Sequence, residues 1–84
     1  MAAPQLTDRD RQVLELAIRE DLSPGEMANE VRDLARALGV GELAYYQMLD
    51  RILDSEAAAA AYPIQVRMLR SLRDGRIRLT RGWV

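Results

Sequence analysis

Apolar residues recur along this chain at spacings of three and four and alternate nowhere over a useful length, so the pattern predicts helices and no sheet. Val13, Leu14, Ala17 and Ile18, behind Thr7 and Asp10 as an N-cap signal, predict a first helix from about 8 to 20. Ser23-Pro24-Gly25-Glu26 is a stronger start: Ser23 can cap, Pro24 loses nothing at the first helical position, and Glu26 completes a capping box. Met27, Val31, Leu34, Ala35 and Leu38 then share one face, and Gly39 sits where a left-handed cap ends a helix. From Glu42 a third helix aligns Tyr45, Met48, Leu49, Ile52 and Leu53. Ser55 ends or restarts it. The run Ala57 to Ala61 reads as a helical spacer with little to bury, stopped by Pro63. A fourth helix from about 63 to 74 sets Ile64, Met68, Leu69 and Leu72 inward, sweeps Arg67, Arg70 and Arg73 outward, and is capped by Gly75. From Arg76 to Val84, Ile77 and Leu79 alternate with arginines over too short a stretch for a strand.

No repeat, low-complexity linker or Pro/Gly-rich boundary divides the 84 residues. The expected fold is all-α: one small four-helix domain containing a helix-turn-helix, with an ordered core over about 6–76 and a basic tail over 77–84. With 49% apolar residues, a chain this short builds one core and buries only about 60% of its unfolded surface.

The missing residue types narrow the chemistry. The chain has no Cys and no His, which removes disulfides, thiolate nucleophiles, the commonest general base and the usual zinc ligands. With no Lys either, catalysis would rest on carboxylates, and these are scattered over helix surfaces rather than paired. The sequence therefore reads as a non-enzyme without cofactor or metal. It holds no stretch of roughly 20 apolar residues and no signal-peptide pattern at Met1-Ala2-Ala3-Pro4-Gln5, so a cytoplasmic protein without membrane insertion is expected.

The net charge of −1 hides an asymmetry. Residues 1–62 carry six arginines against twelve carboxylates, a balance of −6, and residues 63–84 carry six arginines against Asp74 alone, a balance of +5. A basic end on an acidic body suits a polyanion or an acidic protein. Arginine as the only cation suits bidentate phosphate contacts and equally reflects GC-rich codons.

A helix-turn-helix needs a small residue where its helices cross, a turn residue tolerant of positive φ, and apolar residues locking the second helix onto the first. Ala35, Gly39, Val40, Tyr45 and Met48 supply these at the required spacing, although an αα-hairpin with Gly39 as a plain cap has the same signature. In the first reading, Gly41, Glu42, Leu43, Tyr46, Gln47 and Asp50 face the groove. Gln47 can bond an adenine edge, Tyr46 a phosphate or thymine methyl, and Glu42 a cytosine N4. Asp50 repels phosphate unless Arg51 or another arginine offsets it. Tyr45 and Tyr46 also have a plainer reading, as a core residue and a half-buried neighbour. Arg67, Arg70, Arg73, Arg76, Arg78 and Arg81 are the candidate phosphate contacts; if all six engaged, the salt slope would be roughly −5, from about −0.9 per phosphate. The alternative for this stretch is a solvated helix face.

Tyr45-Tyr46-Gln47-Met48-Leu49, then Ile52-Leu53-Asp54, the Ala-rich connector, Tyr62-Pro63 and Val66-Arg67-Met68-Leu69-Arg70-Ser71-Leu72-Arg73 resemble a family of small uncharacterised actinobacterial proteins, which opens with a segment similar to Leu6-Thr7-Asp8-Arg9-Asp10-Arg11. The likeness runs from Leu6 to Arg76. It implies a helix-turn-helix DNA-binding protein of actinobacterial or actinophage origin. Two departures stand out: Leu43-Ala44 replaces a polar and basic pair before Tyr-Tyr-Gln, and Gly41 replaces the polar cap of the third helix. Both remove phosphate grip from the start of that helix.

The leading expectation is a transcriptional regulator binding double-stranded DNA. The alternative is a module of the same fold that docks a protein, which the acidic body and Leu43 favour. A second copy is a further candidate partner, through Ile77, Leu79 and Trp83.

Overall fold

A computed structural model describes residues 5–82, with side chains through Gly75. Its elements are α1 (Asp8–Ala17), α2 (Pro24–Ala37), α3 (Glu42–Leu53), α4 (Glu56–Ala61) and α5 (Pro63–Gly82). Among the described residues the all-α expectation holds, with five helices where four were expected.

Local chemistry sets most boundaries. Thr7 Oγ1 accepts from the Asp10 amide at 3.0 Å and opens α1. That helix ends three residues earlier than its pattern suggested: after Ile18 the Arg19 guanidinium turns to the Asp21 carboxylate at 2.7 Å, and neither residue 20 nor 21 offers an apolar group to bury. At the start of α2 the Glu26 amide donates to Ser23 Oγ and the Ser23 amide to Glu26 Oε1, both at 3.2 Å, which is the reciprocal capping box. At its end Gly39 takes φ of 73°, its amide bonds to the Arg36 carbonyl at 3.1 Å, and the Val40 amide to the Ala35 carbonyl at 2.9 Å. These two bonds are a Schellman closure, satisfying carbonyls that the helix end leaves open. The short turn over 38–41 then throws the chain into α3, an arrangement compatible with a helix-turn-helix.

The core lies where α1 and α2 meet α3. Val13, Leu14 and Leu16 of α1, Val31 and Ala35 of α2, and Tyr45, Ile52 and Leu53 of α3 are buried, joined by Ala58 and Val66. The Ala-rich connector is therefore more than the spacer expected. Ser55 donates to the Ile52 carbonyl at 2.7 Å and accepts from the Ala58 amide at 3.1 Å, closing α3 and opening α4 through one hydroxyl. Ala58 has no exposed surface, and its methyl is small enough for α4 to lie directly on the core.

The largest correction concerns α5. Met68 does not face the core; Val66 does, at 1% exposure, and of the expected inward stripe only Leu69 packs against it. Arg70 and Arg73 follow Val66 by four and seven residues, so the same rotation carries both arginines inward and turns Ile64, Met68 and Leu72 out to solvent. The helix also runs through Gly75 rather than stopping there. A mid-helix glycine costs only about 1 kcal/mol relative to alanine, and arginines suit the negative end of a helix dipole.

Candidate nucleic-acid interface

α3 is oriented from beneath. The Tyr45 ring is buried against α1, and its hydroxyl donates to the Val13 carbonyl at 3.1 Å. Burial pushes this phenol up to about 12, with a smaller contribution from neighbouring Tyr46. With Tyr45 fixed, the 100° step of the helix leaves Leu43, Tyr46, Gln47 and Asp50 on the outward side, all exposed. The Tyr46 ring stands edge-on to Tyr45, centroids 5.2 Å apart and planes at 85°. Both sequence readings of the tyrosine pair thus describe the same arrangement: one ring is core, and the other is half exposed beside Gln47.

Glu42 is exposed at the first turn, and Arg32 of α2 reaches its carboxylate at 3.4 Å. Gly41 caps α3 without a side-chain hydrogen bond, as its lack of a polar group dictates. Arg51 is exposed and lines a cleft of about 190 Å³ with Arg9, Asp10, Met48, Ile52 and Ser55. Arg9 was not among the sequence candidates. Its signal was the opening segment of the resemblance, but only the packing of α1 on α3 shows that it neighbours Arg51.

The α5 arginines divide. Arg67 is exposed. Arg70 Nε donates to the Leu53 carbonyl, and Arg73 donates to the Asp50 carbonyl at 3.4 Å and to Asp54 Oδ1 at 3.0 Å. These are C-cap contacts: two guanidiniums satisfy the last carbonyls of α3 and sit at the negative end of its dipole. The Asp54 hydrogen bond holds the Arg73 guanidinium above its ordinary value, against the opposing effect of burial. Arg70 and Arg73 therefore hold α3 in place and do not lie on the outward face of α5 expected of them. The side chains of Arg76, Arg78 and Arg81 lie outside the described residues.

Elsewhere, Tyr62 donates to Glu15 Oε1 at 2.7 Å and ties the α4–α5 junction to α1, which raises the Tyr62 phenol. A groove between α1 and α2, lined by Glu15, Leu16, Arg19, Glu30, Asp33 and their neighbours, lies away from the outward side of α3. Among the described residues no set of three or more acidic side chains is placed to hold a metal ion, and no helix is long and apolar enough to cross a membrane.

Residues 5–81 match the family described as "Protein of unknown function (DUF3263)". The chain belongs to this DUF3263 family. No curated protein and no solved structure matches it. The matched span takes in every element from Thr7 to α5 except the last residue of α5, including Tyr45 to Gln47, the Ser55 link and the Arg70–Arg73 clamp.

Proposed function

We propose that the chain is a DNA-binding helix-turn-helix protein, a transcriptional regulator without enzymatic activity, that presents α3 to the major groove. The observation that carries this reading is the fixed orientation of α3: the Tyr45 hydroxyl bond from below and the Arg70 and Arg73 clamp at its end leave Tyr46 and Gln47 outward on a braced helix. A helix is about 10–12 Å across with its side chains, which fits a groove roughly 12 Å wide, and the twelve residues of α3 give it about 18 Å of length. Gln47 reads an adenine edge, Tyr46 contacts a phosphate or a thymine methyl, and Glu42, loosely held by Arg32, is available to cytosine N4. Arg51 with Arg9, and Arg67 on α5, hold phosphates. With two of the six C-terminal arginines turned inward, α5 contributes a salt slope no steeper than about −4, from about −0.9 for each of the four others. An actinobacterial or actinophage source, supported by the lysine-free composition, and a cytoplasmic location belong to the same proposal.

The test is selection from a randomised double-stranded DNA pool at two salt concentrations. A short enriched motif is expected, with Gln47→Ala relaxing preference at one or two positions and Arg67→Ala weakening all sequences alike. No retention at low salt refutes the reading.

A second reading is favoured by Leu43, 72% exposed on the outward side of α3. There the same face docks a protein. Leu43→Arg separates the two: it tightens DNA binding by adding a cation, and it abolishes a protein contact centred on that leucine.

A further inference from the structure

The contact between Arg32 and Glu42 joins the two helices on either side of the 38–41 turn, and it uses little of what either group offers. Arg32 Nε donates to Glu42 Oε1 at 3.4 Å. A guanidinium carries five N–H donors in a planar fork and a carboxylate carries two acceptor oxygens, so both Nη groups and Oε2 are left over. Among the described residues none of the three has another partner. The two side chains are 55% and 56% exposed, and an exposed pair held by one long contact adds little to stability. The backbone beneath it is nonetheless firmly set. Val31 and Ala35 bury the face of α2 next to Arg32, Gly39 closes the turn, and Tyr45, one helical turn after Glu42, is pinned to the Val13 carbonyl. We infer that Arg32 and Glu42 together read one C·G base pair, an inference that rests on the DNA-binding reading proposed above and adds Arg32 to its base-reading residues.

Across the major groove a C·G pair shows the cytosine N4 donor, then the guanine O6 and N7 acceptors. The free atoms of the two side chains complement that row in the same order: Glu42 Oε2 accepts from N4, and the two Nη groups of Arg32 donate to O6 and N7. The Nε contact decides which edge of the fork is used, because Nε is taken and the Nη edge remains. The other three arrangements fail. A reversed G·C pair brings its acceptors to the carboxylate, and A·T or T·A presents acceptor, donor, acceptor, which sets like against like at two of the three atoms. Position also favours base edges over phosphates. Recognition helices meet base edges with their N-terminal residues, and Glu42 is the first residue of α3. A phosphate contact through Arg32 would have no use for the carboxylate, which repels the same phosphate at close range, whereas a base pair uses both charges. As a neutral unit the two side chains enter the groove without setting net charge against the backbone.

The test is selection from a randomised duplex pool with the full chain, unaltered and as Arg32→Ala and Glu42→Ala, each variant checked for unchanged helical circular dichroism. The unaltered protein is expected to enrich a motif with one fixed C·G pair. Both variants are expected to lose discrimination at that same pair, by roughly five- to 150-fold, the range of one bidentate base contact, and to keep their preference elsewhere. Replacing the guanine of that pair by 7-deazaguanine, which lacks the N7 acceptor, is expected to weaken the unaltered protein and to leave Arg32→Ala as it was; the first of these needs no variant. Losses at two different base pairs overturn the inference, as does indifference of the unaltered protein to 7-deazaguanine. Weakening of all sequences alike by Arg32→Ala, with a salt slope shallower by about 0.9, makes Arg32 a phosphate contact and overturns it too. In each of these results the enriched motif survives, and the DNA-binding reading with it; no motif from the unaltered protein at low salt removes both.

Discussion

Tyr45 offers the most quantitative check on how α3 is held. Its phenol is pushed up to about 12 by burial, against an ordinary value near 10. A folded-state value above the unfolded one means that the fold favours the protonated hydroxyl. The associated stability is fully present below about pH 10 and is lost as pH rises through about 12. Two pH units correspond to roughly 2.7 kcal/mol, at about 1.36 kcal/mol per unit. Tyr45→Phe removes the titrating group while keeping the ring. At pH 7 it forfeits the bond to the Val13 carbonyl, worth about 1 kcal/mol and about 4–8 °C of melting temperature in a domain this size. At pH 11 to 12 the order reverses, because the unaltered protein must ionise or expose a buried phenol and the variant need not. Thermal melts followed by circular dichroism from pH 7 to 12 measure both limbs. The Tyr62→Phe background removes the other raised tyrosine from the comparison. Melting curves that stay parallel through pH 12, with no crossing between Tyr45→Phe and the parent, refute the account of Tyr45 as the buried pin of α3.

Two further substitutions probe the supports at either end of that helix. Gly39→Ala should destabilise by about 1–2 kcal/mol through its φ of 73° alone, since no atom lies within 4 Å of the added carbon; Gly39→Asn should recover most of the loss in a urea titration, and equal losses would point to a steric cause instead. Arg73→Ala should cost about 1 kcal/mol of stability, because it strips the end of α3, while Arg67→Ala stays within about 0.5 kcal/mol; urea midpoints that rank the two the other way would contradict the inward placement of Arg73.

The sequence was most legible where structure is decided within a few residues. The capping box at Ser23 and Glu26, Pro24 at the first position, and the left-handed Gly39 depend on neighbours in the chain, and each stands as its pattern indicates. The apolar face of α3 was legible for the same reason: Tyr45, Ile52 and Leu53 repeat strongly enough to admit one rotation. α5 was misread because two rotations were open to it. Ile64, Met68, Leu69 and Leu72 form the more apolar stripe, and hydrophobicity alone chooses it. The fold instead buries Val66, since that rotation also delivers Arg70 and Arg73 to the unsatisfied carbonyls of α3, a demand no pattern within α5 records. The pairing of Arg32 with Glu42 and the approach of Arg9 to Arg51 were hidden likewise, being products of how α1 and α2 pack on α3.

The carboxylates on α3 looked, in the sequence, like an obstacle to any polyanion, and their surroundings change that conclusion. Glu42 pairs with Arg32 at 3.4 Å, and Asp54, at the end of α3, pairs with Arg73 at 3.0 Å, whereas the Asp50 carboxylate forms no ion pair among the described residues. Two of the three carboxylates are thereby offset, with Arg73 shared between Asp54 and Asp74. At about 4 Å in water a unit pair is worth about 1 kcal/mol, so an arriving phosphate meets paired charges at Glu42 and Asp54 and a bare one at Asp50. Under the proposed function the attraction comes from exposed Arg9 and Arg51, which line one cleft beside α3, and from exposed Arg67 on α5. On that proposal the work divides as in groove recognition, with arginine contacts to phosphates fixing position and base edges deciding sequence.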